Sequence, residues 1–63
     1  MLSKNIKQLR KKHNLSQEQL AQKAGITYST LIKIESGANK NPTIDTLRKI
    51  ADALKVGVDN LIR

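Results

Sequence analysis

Ser29, Lys33 and Ser36 follow one another at i, i+4 and i+7, a spacing that gathers side chains on one face of a helix. At 100° per residue they fall opposite Leu31 and Ile34. One ammonium between two small hydroxyls makes a compact polar face. It can donate hydrogen bonds to base edges, and it suits a DNA major groove about 12 Å wide. The competing reading is a face that is merely solvated. Reactive chemistry has much less to draw on. His13 is the single histidine, cysteine is absent, and no pair of carboxylates is placed to work with His13. Asp52 and Asp59, seven residues apart, read as ordinary surface charges, and a metal site lacks ligands. The expectation is a binding protein with no catalytic residue, no cofactor and no small-molecule ligand.

The elements that must position this face are legible on either side of it. Ser16 can cap a helix, with Gln19 completing a capping box. Leu20, Ala21 and Ala24 give that helix an apolar face. Gly25 ends it with a left-handed residue, and Ile26 tucks the corner inward. Thr27 caps a second helix, which turns Leu31 and Ile34 inward and closes at Gly37. Two short amphipathic helices across a glycine-containing turn make a helix-turn-helix corner. The small Ala21 allows close approach of the second helix.

The rest of the chain frames that corner. Leu2, Ile6 and Leu9 mark the buried stripe of a helix over residues 3–13, with Ser3 as its N-cap and Asn14 as a left-handed C-cap. Lys4, Lys7, Lys11 and Lys12 cover its remaining surface, either as a solvated face or reaching phosphates. Pro42 disfavours helix at Asn41 and keeps residues 38–42 a loop. Thr43 then caps a helix with inner stripe Ile44, Leu47, Ile50, Ala51 and Leu54, and Asp45 suits its first turn. A short last helix over 58–62 carries Leu61 and Ile62. With 63 residues and no alternating strand pattern, the expectation is one all-α domain spanning 1–63, its core built from aliphatic side chains.

Twelve Lys and Arg against five Asp and Glu give a formal charge of +7. Such an excess favours a polyanionic partner. A membrane-spanning role is disfavoured, since no apolar run approaches roughly 20 residues. Residues 1–10 are basic but lack the apolar segment of a secretory signal, so a cytoplasmic location is expected.

The segments IKQLRKKHNLSQEQLAQKAGIT, IKIESG, NPTIDTLRKIADAL and VGVDNLI together resemble the DNA-binding domain of the lambda repressor and Cro group, the XRE-type helix-turn-helix family. The likeness runs over residues 3–62. It implies a compact five-helix fold whose third helix, residues 28–35, enters the major groove, usually as a homodimer on a pseudo-palindromic operator. Carried over by position, it implies base reading by Tyr28, Ser29 and Lys33. It implies phosphate contacts by Gln17, Ser36, Lys40 and Asn41, and an ion pair between Arg10 and Glu35. Four positions depart from the family pattern. Tyr28 stands where a short amide is common, so sugar stacking or a thymine-methyl contact replaces a bidentate adenine contact. Ile32 is apolar on the flank of the third helix, packing at the core edge or touching DNA or a second copy. Lys55 replaces a usual glycine, which implies a left-handed turn at Lys55 after the fourth helix, and Gly57 replaces a better N-cap.

The function so implied is that of a transcriptional repressor acting on double-stranded DNA, its homodimer weak in solution and strengthened on DNA. The dimer patch is expected near Val56, Val58 and Leu61. Two rivals share the fold: an antitoxin-type module that uses it on a protein partner, and the DNA-binding part of a longer repressor.

Overall fold

The chain is described over residues 2–63 in a computed structural model. Five helices follow in order: α1 (Leu2–Lys12), α2 (Gln17–Ala24), α3 (Tyr28–Ser36), α4 (Ile44–Leu54) and α5 (Val58–Ile62). Their boundaries are set by local chemistry. The Ser16 hydroxyl accepts from the Gln19 backbone N–H while the Gln19 side chain accepts from the Ser16 N–H, so both halves of the capping box are made. Thr27 and Thr43 cap α3 and α4 in the same way, through the N–H groups of Thr30 and Thr46. Gly25 ends α2 at φ 73°, and Ile26 N–H returns to the Ala21 carbonyl to close the corner.

Every helix contributes to one core. Ile6, Leu20, Leu31, Ile34, Ile50, Leu54 and Leu61 are its largest wholly buried side chains. Fully burying such a residue is worth about 1.5–3 kcal/mol, so this aliphatic set is the main source of stability in a chain without disulfides. α3 packs on α1 and α2, while α4 packs on α2 and α5. Contact with two neighbours widens the buried face of α4 to include Ala53, beyond the stripe legible in the sequence.

Several local expectations are corrected. α1 begins at Leu2, so Ser3 lies inside its first turn and is not the N-cap. Ile44, expected on the inner stripe of α4, is 58% exposed. It is the first residue of the helix, and helical side chains lean toward the N-terminus, which carries this one past the end of the core. The five-residue α5 turns only one side inward. Leu61 is wholly buried and Ile62 is 58% exposed, so Leu61 cannot belong to a surface patch with Val56 and Val58.

Polar contacts fix how α1 sits. Arg10 makes a two-pronged contact with Glu35, Nε to Oε2 at 2.8 Å and Nη2 to Oε1 at 3.2 Å. Its remaining nitrogen, Nη1, donates to the Leu15 carbonyl at 2.8 Å. The Glu35 side chain is 1% exposed and that of Arg10 is 11% exposed, so the pair is buried. Asn5 secures the other side of α1, its amide donating to the carbonyls of Leu61 and Arg63.

Removing one partner of a buried pair typically costs about 3–5 kcal/mol, because the other charge is stranded. Arg10→Ala and Glu35→Ala are each expected to cost well over about 1 kcal/mol in urea unfolding, with strong non-additivity in the double variant. Additive losses in that cycle would show that the two side chains act independently. Lys55 sits at φ 58°, a left-handed conformation that crowds its Cβ. Lys55→Gly is accordingly expected to be neutral or stabilising, the relieved strain offsetting the added freedom of the unfolded chain. A urea-derived loss above about 1 kcal/mol would contradict that balance.

Candidate nucleic-acid interface

α3 has one buried side and one bare side. Leu31, Ile34 and Glu35 are buried; Ser29, Lys33 and Ser36 lie opposite them and are exposed. Tyr28 opens the helix and is 49% exposed, leaving its ring available on the flank. Ile32 is half-buried beside it. The half-buried aliphatics that pack against the core are Leu2, Leu9, Leu15, Ile26, Val56 and Val58 among the described residues, and Ile32 stands outside that set. Lys33 is the only cation on α3, and among the described residues no carboxylate pairs with it. The bare side therefore presents one free ammonium flanked by hydroxyls.

The remaining sequence-derived positions border this side, and the structure gives two of them a second role. Gln17, the first residue of α2, is half-buried and donates from Nε2 to Glu35 Oε1 at 3.1 Å. One of its amide hydrogens is thereby used inside the protein, leaving the other and the free backbone N–H for an anion. The Ser36 hydroxyl donates to the Lys33 carbonyl at 3.2 Å and accepts from the Ala38 N–H at 3.3 Å. Its proton is engaged in closing α3, so a phosphate contact requires it to rotate. Lys40 and Asn41 are exposed on the loop after α3.

Sequence reasoning missed the residue that shapes this loop. Asn39 N–H donates to the Lys33 carbonyl at 2.9 Å, and Asn39 Oδ1 accepts from the Asn41 N–H at 3.1 Å. The loop is thereby stapled to the last turn of α3, which holds Lys40 and Asn41 beside the groove-sized face. The available signal was an Asn two residues before another polar loop residue, the pattern of an Asx turn. The Leu15 carbonyl, which anchors Arg10, carries no sequence signal of that role.

Comparison with known proteins places this arrangement. The sequence model of the helix-turn-helix family matches residues 6–61. The HTH-type transcriptional regulator SinR of Bacillus subtilis is 40% identical over 62 residues, covering 98% of this chain and 56% of that protein. The immunity repressor of Bacillus phage phi105 is 38% identical over 61 residues, covering 97% of this chain and 42% of the repressor. The chain thus spans about half the length of the curated relatives it matches. Among solved structures, that of SinR, the master regulator for biofilm formation, in complex with DNA superposes with a TM-score of 0.96 at 40% identity, over 100% of both chains. A SinR protein/SinI protein complex superposes with a TM-score of 0.94, covering 98% of this chain and 60% of that one. The capping box, the glycine corner, the five-helix order and the match across residues 6–61 agree: this chain belongs to the Cro/C1-type helix-turn-helix family.

Proposed function

We propose that this chain is a sequence-specific binder of double-stranded DNA that acts in transcriptional repression, inserting α3 into the major groove. The observation that carries the reading is the free Lys33 ammonium between Ser29 and Ser36, on a helix face with nothing packed over it. The relatives support it: one is a phage repressor, and SinR has been solved bound to DNA. Lys33 and Ser29 read base edges in this proposal, with Tyr28 against a sugar or a thymine methyl. Gln17, Ser36, Lys40 and Asn41 hold the phosphates on either side. The charge balance of +7 supplies the attraction.

The proposal includes a homodimer whose half-sites are centred about one helical turn apart, roughly 34–36 Å. Half-buried Val56 and Val58 with exposed Ile62 offer only a small apolar surface, and interfaces under about 1,200 Å² belong to weak association. Sedimentation is expected to show monomers in dilute solution and dimers on operator DNA; stable dimers at nanomolar concentration without DNA would overturn this. The SinR protein/SinI protein complex favours one second reading, in which this fold serves a protein partner. Salt separates the two, because binding through several phosphates weakens steeply as salt rises.

A lysine ammonium is a good donor to guanine O6 and N7, whereas serine discriminates little. Lys33→Ala should cost about 1–3 kcal/mol on the preferred operator and flatten the preference at one position of each half-site, most simply a G. Lys40→Ala should weaken all sequences alike and reduce the salt slope by about one unit. Gln17→Ala should also weaken them alike, together with a loss of stability from its Glu35 bond. A panel of single-base operator variants titrated at fixed salt decides. Equal losses across the panel for Lys33→Ala would make Lys33 a phosphate contact.

A further inference from the structure

α1 carries Lys4, Lys7, Arg10, Lys11 and Lys12 and no carboxylate. Arg10 is turned inward, but the four lysines are exposed, and among the described residues none is paired with an acidic side chain. They do not all lie on the same side. Ser3 borders a shallow cavity with Ile34, Gly37, Asn39 and Lys40, and Arg10 bonds Glu35 and the Leu15 carbonyl. These two residues mark the edge of α1 that faces the end of α3 and its loop. Lys7 follows Ser3 by four positions and precedes Arg10 by three, which puts it on that same edge. The opposite edge is marked by Asn5, bonded to the end of α5, and by Gln8 and Lys12, which border a groove with Val56 and Asn60. Lys4 and Lys11, seven positions apart, share the outer ridge between the two.

We propose that Lys7 is an added phosphate contact on this edge. It continues the cationic border from Lys40, beside Ser3 at one end of α1, toward Arg10 at the other. Its ligand is the sugar–phosphate backbone of duplex DNA, recognised by charge and not by sequence. The inference rests on the DNA-binding reading above and extends it to a residue outside the helix-turn-helix corner. A lipid surface fits less well. A helix lying on a membrane needs an apolar face toward the lipid, and on α1 Ile6 is in the core with Leu2 and Leu9 packed against it. Position matters because charges are screened over about 8 Å at physiological salt, whereas the molecule measures 22 × 22 × 19 Å. Lysines on one edge can therefore engage phosphates that those on the other do not reach.

The test compares two variants that remove one charge each: Lys7→Gln and Lys12→Gln. Each is titrated across a salt series against an operator selected from random duplexes and against a scrambled duplex of equal length. Circular dichroism and urea midpoints should match the parent for both, since both side chains are exposed. Each neutralised phosphate contributes about 0.9 to the slope of log affinity against log salt, so Lys7→Gln should lower the slope by about that much. It should weaken both duplexes by the same factor, while Lys12→Gln changes the slope by less than half as much. An unchanged slope for Lys7→Gln would overturn the proposal, as would equal changes for both, which would indicate diffuse net charge. If the parent binds duplexes without salt dependence, the DNA-binding reading falls and this contact with it. If the parent and Lys40→Gln behave as phosphate binding requires while Lys7→Gln does not, only the added contact falls.

Discussion

A carboxylate that is 1% exposed must be met by donors, and the way Glu35 is met governs how the working parts of this molecule are joined. Charges taken out of water cost several kcal/mol each unless hydrogen bonds and an opposite charge replace the lost hydration. Arg10 supplies two bonds from α1 and Gln17 a third from α2. Arg10 also reaches the Leu15 carbonyl in the turn between them. Three separate segments are thus tied to the last turn of α3. The aliphatic core beneath them is non-directional and tolerates many shapes of similar volume. The ion-pair network is directional, so it specifies the angle at which α3 meets its two supports. Among the described residues no buried side-chain nitrogen or oxygen lacks a partner, so the network is complete.

The second constraint is how charge is distributed over so small a body. α3 holds a single cation, Lys33, and most of the surplus lies on α1, with single charges added at Lys40 and Lys55. On the DNA-binding reading proposed above, sequence discrimination would rest on very few atoms, while attraction to a polyanion would be spread widely. Selectivity would then have to come from binding two half-sites together, each added copy multiplying a modest preference.

What the sequence made legible was mainly what is local. Ser16 with Gln19, Thr27, Thr43 and Gly25 each announce a helix end within four residues, and each sits where that chemistry requires, whereas the left-handed Lys55 was expected only through family likeness. The contacts of Asn5 with the end of α5, and of Gln17 with Glu35, join residues 56 and 18 positions apart or more, and no spacing rule reaches so far. Arg10 and Glu35, 25 positions apart, were named only through family likeness. The Ile44 error has a plain cause: helical periodicity shows which side of a helix is apolar, but not where along its length the core stops. On the candidate interface, spacing placed Ser29, Lys33 and Ser36 on one bare side, but could not show that the Ser36 proton is already engaged.

Tyr28 is the only aromatic residue in the chain, and it lies at the start of α3, half in solvent, not in the core. The protein's intrinsic ultraviolet fluorescence therefore arises at one point, the start of α3. Unfolding moves that phenol from a half-exposed site to a fully wet one, a smaller change of surroundings than a ring in the core would undergo. A nucleobase stacked on the ring would quench it directly. The optical signal of this molecule thus reports on the exposed end of α3 rather than on the core, a label-free probe set by where the single ring sits.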